Sequence, residues 1–206
     1  MSVGEPATQD YVAQFYPKRY SGSGFVYHSR IVTTMLAGLD MKHKVLDVGC
    51  GIGFVSQLHP NFDIVGVDIS EEMLKRNPHQ HLKAAAESLP FPDQHFDWVV
   101  ARSLLHHLDD PFLGLREMFR VLKPGGHLVC WDPNYSFLVN TFRKVFQHTD
   151  RFSHLHKSFT IWDFMLMLGQ AGFPDATYRY IGFLGYPLCG FPDIVNFHLP
   201  VGVTHA

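Results

Sequence analysis

VLDVGCGIGFVS, residues 45–56, decides how the rest of the chain is read. Val45, Leu46 and Val48 make a short apolar strand, and the chain then turns through Gly49, Gly51 and Gly53 into Phe54 and Val55, where a helix begins. Glycines separated by single residues permit backbone conformations, and a close approach of other groups, that a Cβ would block. A strand that runs through such a turn into a helix is the opening unit of an α/β sheet. In such sheets ligands bind at the C-terminal ends of the strands.

Outward from this unit the pattern repeats. KVLDVG (44–49) and DIVGVDI (63–69) read as strands, with a helix starting over 53–58 between them. SEEMLKRN (70–77) is a helix that Ser70 can cap, with acids in its first turn. HLKAAA (81–86) is a third strand, SLPFPDQ (88–94) a turn and FDWVVAR (96–102) a fourth strand, followed by a helical stretch near 103–107. Residues 111–122 form a helix that Pro124 and Gly125 of KPGG stop, and HLVCWDP (127–133) is a fifth strand. Upstream, Val26, Ile31, Leu36 and Leu39 give 26–39 helical spacing. Downstream, 160–171 is a helix ended by Gly172, and 176–184 a strand. Strands alternating with helices predict a mostly parallel α/β sheet flanked by helices.

The bulk composition narrows the function. At 206 residues the chain suits one domain, and 46% hydrophobic against 17% charged residues supplies a substantial core. A net charge of -2 offers no basic surplus for nucleic acid. Cys50, Cys130 and Cys189 are an odd set without a Cys-x-x-Cys pair, so neither a disulfide framework nor a metal site is expected. No apolar stretch approaches the roughly 20 residues of a membrane span. MSVGEPATQD has no basic-then-apolar leader, which makes a cytoplasmic location the expectation.

The glycine turn does not match a dinucleotide fingerprint, because Phe54 stands where Gly-x-Gly-x-x-Gly wants its last glycine. That disfavours a nicotinamide oxidoreductase. The pattern present, Asp-x-Gly-x-Gly-x-Gly, suits a ligand without a pyrophosphate whose amino-acid part lies over the glycine backbone, with Asp47 facing an ammonium group. Asp68 closes the second strand nineteen positions after Gly49, where a carboxylate can accept both hydroxyls of a ribose.

VLDVGCGIG, VGVDIS, AESLPFPDQHFDWVV, LLHHLDDP and REMFRVLKPGGHLV, in this order over about residues 43–132, resemble the consecutive motifs of class I S-adenosylmethionine-dependent methyltransferases, and most closely the type-11 group. The resemblance implies a Rossmann-like, mostly parallel seven-stranded sheet, here with its last strand hard to place. It implies S-adenosylmethionine as cofactor, leaving S-adenosylhomocysteine. Asp47, Gly49 and Gly51 would line the methionine end. Asp68 would hold the ribose, Ile69 would pack on the adenine, and Ala86 and Glu87 would lie at the adenine edge. Ala101 would lie beneath the sulfonium. Tyr20 and Arg30, in an N-terminal lid, would reach over the cofactor, with Arg30 meeting its carboxylate. Many relatives carry Asp where this chain has Ala85, so the adenine amino group needs another acceptor here.

The chain then divides into an N-terminal lid and helix (1–40), a cofactor-binding core (41–132), a substrate-side insertion (133–159) and a C-terminal part (160–206), all within one methyltransferase domain. The expected reaction is SN2 transfer of a methyl group to a small-molecule or lipid-like acceptor, at oxygen first, with carbon or nitrogen open. His106 and His107 follow the fourth strand and are the candidates for a base. The aromatic insertion suits an apolar acceptor. The apolar tail GFLGYPLCGFPDIVNFHLP, broken by prolines, can cap the pocket, join a dimer or lie against lipid, so monomer and homodimer both stand. The rival reading is a non-catalytic cofactor-binding or partner protein on the same fold.

Overall fold

The structure is a computed structural model that describes residue 10 and residues 22–37, 44–134, 159–178 and 197–204. Its elements are α1 (Gly22–Leu36), β1 (Lys44–Val48), α2 (Phe54–Leu58), β2 (Asp63–Asp68), α3 (Glu71–Leu74), β3 (His81–Lys83), β4 (Phe96–Arg102), a 3-10 turn (Leu105–His107), α4 (Pro111–Val121), β5 (Leu122–Asn134), α5 (Ile161–Ala171), β6 (Thr177–Tyr178) and β7 (Phe197–Thr204).

The strands form one sheet in the order β3-β2-β1-β4-β5-β7-β6. β1 pairs in parallel with β2 and β4, and β4 with β5. β7 runs antiparallel to both β5 and β6. The order reverses between β2-β1 and β4, which puts the crevice of this sheet class at the C-terminal ends of β1 and β4.

The alternation read from the sequence sorts the two faces. Leu46, Val48, Val99 and Ala101 point into one core, with Leu115 and Met118 of α4 and Phe164 and Leu168 of α5. Val45, Trp98, Val100, Val129 and Trp131 point into the other, against Ile31, Val32 and Met35 of α1 and Phe54 of α2. Large side chains buried this fully contribute about 1.5–3 kcal/mol each.

The helix ends follow their capping chemistry. Asp110 Oδ1 accepts from the Leu113 N–H at 3.0 Å, and Thr160 and Asp163 form a reciprocal capping box. KPGG ends α4 but belongs to β5. Phe96 pairs with Leu122 and Trp98 with His127, so the four residues between bulge out, with Gly125 at φ 75°. The last strand, hard to place from the sequence, lies at Phe197–Thr204, and it sits inside the sheet, between β5 and β6.

Candidate active site

The three glycines of the first turn all have positive φ, 74°, 53° and 77° at Gly49, Gly51 and Gly53, yet they make room for different things. A Cβ on Gly49 would stand 2.8 Å from Leu104 Cδ1, and one on Gly53 only 2.3 Å from Asn77 Oδ1. A Cβ on Gly51 would meet nothing within 4 Å. Gly49 and Gly53 are therefore small because the protein's own side chains occupy the space. Gly51 alone leaves bare backbone facing open space. Asn77 clamps this loop: its Nδ2 donates to the Gly51 carbonyl at 3.3 Å, while its Oδ1 accepts from the His79 N–H at 2.9 Å. Cys50, in the same turn, nests over Gly66, and burial pushes its thiol pKa far up, leaving it un-ionised and inert.

Asp68 stands at the C-terminal end of β2. Its Oδ2 accepts from the Gly51 N–H at 2.8 Å and its Oδ1 from the Ser70 N–H at 2.9 Å. Burial raises its pKa, and the N–H donors of Ser70, Gly51 and Ile69 pull it back down. A carboxylate offers about four lone-pair sites. With three backbone donors on it, Asp68 keeps about one acceptor position beyond these bonds.

Asp47 is buried within the end of β1, and its Oδ2 has no hydrogen-bond partner among the described residues. Burial lifts its pKa to about 7, against the pull of the Arg102 guanidinium and with a smaller push from Asp68. Asp47 and Arg102 are on one face of the sheet, because Asp47 pairs with Val100 and Arg102 lies two positions further along β4. The Arg102 guanidinium carbon lies 5.4 Å from the centre of the Phe54 ring.

Beyond Arg102 the backbone is held in an unusual path. Ser103 has φ 51°, and its N–H donates to the Trp131 carbonyl at 2.6 Å. The buried carboxylate of Asp132 then accepts from the N–H groups of Leu104, Leu105 and His106, at 3.3, 3.1 and 3.2 Å, and from His106 Nδ1. His106 is thereby a buried strut. The His107 ring lies beside it, 4.0 Å between ring centres, and faces the open side.

These parts enclose a crevice of about 870 Å³, open solvent at its mouth included. Its walls are the loop Gly49–Ile52, the end of β2 with Ile69, the stretch with Ala84, Ala86 and Glu87, and the end of β4 with Arg102, Ser103 and Leu104. His107 and Leu108 complete it. Of the residues expected from the sequence, Gly49, Gly51, Asp68, Ile69, Ala86, Glu87 and His107 come together here. Asp47 and Ala101 lie buried behind the wall, and His106 is turned into the core. Arg30 is on the exposed face of α1, opposite the stripe of His28, Ile31, Val32 and Met35 that packs inward, and does not line the crevice. Tyr20, the insertion from 135 to 158 and the tail from 179 to 196 lie outside the described residues.

Arg102, Ser103, Leu104 and Asn77 were not singled out from the sequence. A signal for Arg102 existed: a cation closing the apolar run FDWVVA at the ligand end of a central strand. Asp132 and Asn77 act across 26 to 28 positions of chain, which local spacing does not reveal.

A nucleoside joined to an amino acid fits these walls. Gly51 offers open backbone, Asp68 keeps an acceptor position, and Asp47 holds a buried oxygen that meets no donor among the described residues. Comparison with known proteins agrees. Residues 46–130 match the family model described as a methyltransferase domain, Methyltransf_11. A demethylmenaquinone methyltransferase of Listeria welshimeri is 30% identical over 207 residues, covering 85% of this chain and 87% of that one. Among solved structures, a possible histamine N-methyltransferase of Thermotoga maritima superposes with a TM-score of 0.74 at 22% identity, over 94% of this chain and 98% of the other. A methyltransferase of Archaeoglobus fulgidus gives 0.71 at 19% identity, over 95% and 100%. Fold and site define a class I methyltransferase. The chain belongs to the type-11 family of S-adenosylmethionine-dependent methyltransferases.

Proposed function

We propose that the protein transfers the methyl group of S-adenosylmethionine to a small-molecule or lipid-like acceptor by direct SN2 displacement, with a hydroxyl oxygen as the expected nucleophile. The observation that carries this reading is the pairing of Gly51 and Asp68 at the floor of the crevice. Bare backbone and a strand-end carboxylate are joined there by one hydrogen bond.

When bound, S-adenosylmethionine supplies a methyl group on a positively charged sulfur. The residues of the chain do the rest. Asp68 holds the ribose hydroxyls, and Ile69 packs against the base, with Ala86 and Glu87 at its edge. Asp47, buried just behind the Gly49–Gly51 wall, supplies the negative charge that draws the ammonium group to that end of the crevice. Leu104 and Leu108 keep the acceptor end of the crevice apolar, which excludes water and suits a lipid-like ring. His107, on the same side, takes the proton of a hydroxyl acceptor as it becomes nucleophilic. The relative named demethylmenaquinone methyltransferase supports an acceptor of quinone-like character. In this reading residues 41–132 carry the cofactor and the remainder of the single domain shapes the acceptor side.

The test is methyl transfer from isotopically labelled S-adenosylmethionine to a panel of prenylated and simple quinols and phenols, with the product position read by NMR. Label on oxygen supports the reading. Label on ring carbon corrects the acceptor atom. Failure of the folded protein to bind S-adenosylhomocysteine by calorimetry defeats the proposal altogether.

A further inference from the structure

We infer that the Ser103 hydroxyl reads a second oxygen on the methyl acceptor. The crevice then prefers rings that carry an oxygen next to the methylated one over rings with a single hydroxyl. The inference rests on the hydroxyl-acceptor reading above and narrows the acceptor class within it.

Ser103 is not the residue that backbone conformation alone would select. Its φ of 51° lies in the left-handed region, which glycine adopts freely and a residue with a Cβ adopts under strain. The surroundings impose that conformation. The Ser103 N–H donates to the Trp131 carbonyl, and the next three N–H groups, of Leu104, Leu105 and His106, converge on the Asp132 carboxylate. Residues held in such strain cluster at sites that act on ligands.

The place of Ser103 points to the acceptor rather than to the nucleoside. Strand order sets β2 and β3, with Asp68 and the stretch from Ala84 to Glu87, on one side of β1, and β4 on the other. Ser103 lines the crevice just past the end of β4, and its N–H reaches further out, to β5. It therefore lies away from the Asp68 side, next to the apolar Leu104 and Leu108. Other oxygen-bearing side chains on the walls have partners within the chain. Asp68 accepts backbone donors, Ser70 Oγ joins the Met73 N–H and Asp10, and Glu87 accepts from the Asp110 N–H at 3.5 Å. The Ser103 hydroxyl makes no hydrogen bond among the described residues.

A hydroxyl both donates and accepts, so it can pair with a ring carbonyl, an ether or a second hydroxyl. On a ring with two adjacent oxygens, Ser103 pairs with one and leaves the other for the methyl group. A ring without the second oxygen leaves the serine unpaired beside apolar walls, and a site built for a hydrogen bond discriminates against such a ligand.

The experiment compares the full-length wild type with Ser103→Gly and Ser103→Ala on two acceptors, an alkylcatechol and the alkylphenol with the same chain. Wild type is expected to favour the catechol. Both variants should lower kcat/KM for the catechol by about 10-fold and for the phenol by less than about 2-fold. Their affinity for S-adenosylhomocysteine, read by calorimetry, should stay within about 2-fold of wild type. Ser103→Gly should melt no lower than wild type, because glycine relieves the strain. Ser103→Ala keeps the strain and should show the same change of preference, which separates the hydroxyl from the backbone. An unchanged catechol-to-phenol ratio in either variant overturns the inference. So does a parallel loss of S-adenosylhomocysteine affinity, which would put Ser103 in the cofactor grip. A marked drop in the melting temperature of Ser103→Gly would make the hydroxyl a structural group and overturn it too. Wild type that binds S-adenosylhomocysteine but methylates neither ring overturns the hydroxyl-acceptor reading and this inference together, before any variant is made.

Discussion

The Asp68 carboxylate accepts the Gly51 N–H at 2.8 Å, tying the end of β2 to the one glycine of the first turn that leaves open space. Shape and charge at the floor of the crevice are therefore one unit. The same carboxylate also takes the Ser70 N–H, just before α3, and Ser70 Oγ donates to Asp10 of the N-terminal region at 2.6 Å.

Asp68→Asn tests that unit. Both oxygens of Asp68 accept backbone donors, and an amide has only one oxygen, so one N–H loses its acceptor. A stability loss of about 1–3 kcal/mol is expected from chemical denaturation. Affinity for S-adenosylhomocysteine should fall by about 10- to 100-fold, because the ribose loses a charged acceptor. An unchanged affinity would remove Asp68 from the binding site.

The glycines should separate stability from binding. Gly53→Ala forces a Cβ to within 2.3 Å of Asn77 Oδ1 at φ 77°, which displaces the clamp on the loop. A loss well beyond the strain of about 1–2 kcal/mol for a left-handed alanine is expected. Gly51→Ala carries only that strain, since its Cβ enters open space, but it occupies room the ligand needs. Thermal melting should rank Gly53→Ala as the less stable, while calorimetry should show Gly51→Ala losing ligand with most of its stability kept. The opposite ranking would mean that the open space at Gly51 is not the ligand's.

Much of this was legible in the sequence because it is local. Alternating apolar residues marked β1, β2 and β4, and the acid at position 68 follows from strand length alone. What stayed hidden depends on tertiary contact. The strand at Phe197–Thr204 carries Pro200 and Gly202, both poor strand residues, and is held by pairing with β5 along its whole length. The purpose of Gly49 and Gly53 needed Leu104 and Asn77, both distant in sequence. For Arg30 the periodicity was available: His28, Ile31, Val32 and Met35 define the inner face of α1, and Arg30 falls on the other side.

Asp132, His106 and His107 divide structure from chemistry. Asp132 is buried and satisfies three backbone N–H groups as well as the His106 ring, so Asp132→Ala leaves several buried donors unmatched. Breaking such a buried pair costs about 3–5 kcal/mol. His106→Ala should also unfold at lower denaturant. His107, half-buried on the crevice wall, should cost less than about 1 kcal/mol when replaced by alanine, a surface-type effect. Its loss is expected to slow transfer to a hydroxyl acceptor while leaving S-adenosylhomocysteine affinity within about 2-fold. Equal destabilisation by His106→Ala and His107→Ala would end this division of labour.

Asp47 predicts a pH dependence whose sign differs for ligand and for fold. Its folded pKa is raised from 3.8 to about 7 by burial. A raised carboxylate pKa means that the folded state holds the proton more tightly than the unfolded state does. The stability it contributes is present below 3.8 and is lost as pH rises through about 7. Asp47→Asn cannot ionise, so relative to wild type it should gain stability above pH 7 and gain least under acid. Ligand binding runs the other way, because an ammonium group favours the ionised carboxylate. Affinity for S-adenosylhomocysteine should rise roughly tenfold from pH 6 to pH 8, as the ionised fraction climbs from about a tenth to about nine tenths. 5′-Methylthioadenosine, without an ammonium, should show a flat profile, as should S-adenosylhomocysteine with Asp47→Asn. A flat wild-type profile for S-adenosylhomocysteine would mean that Asp47 does not draw the amino group and that its lone oxygen meets some other donor.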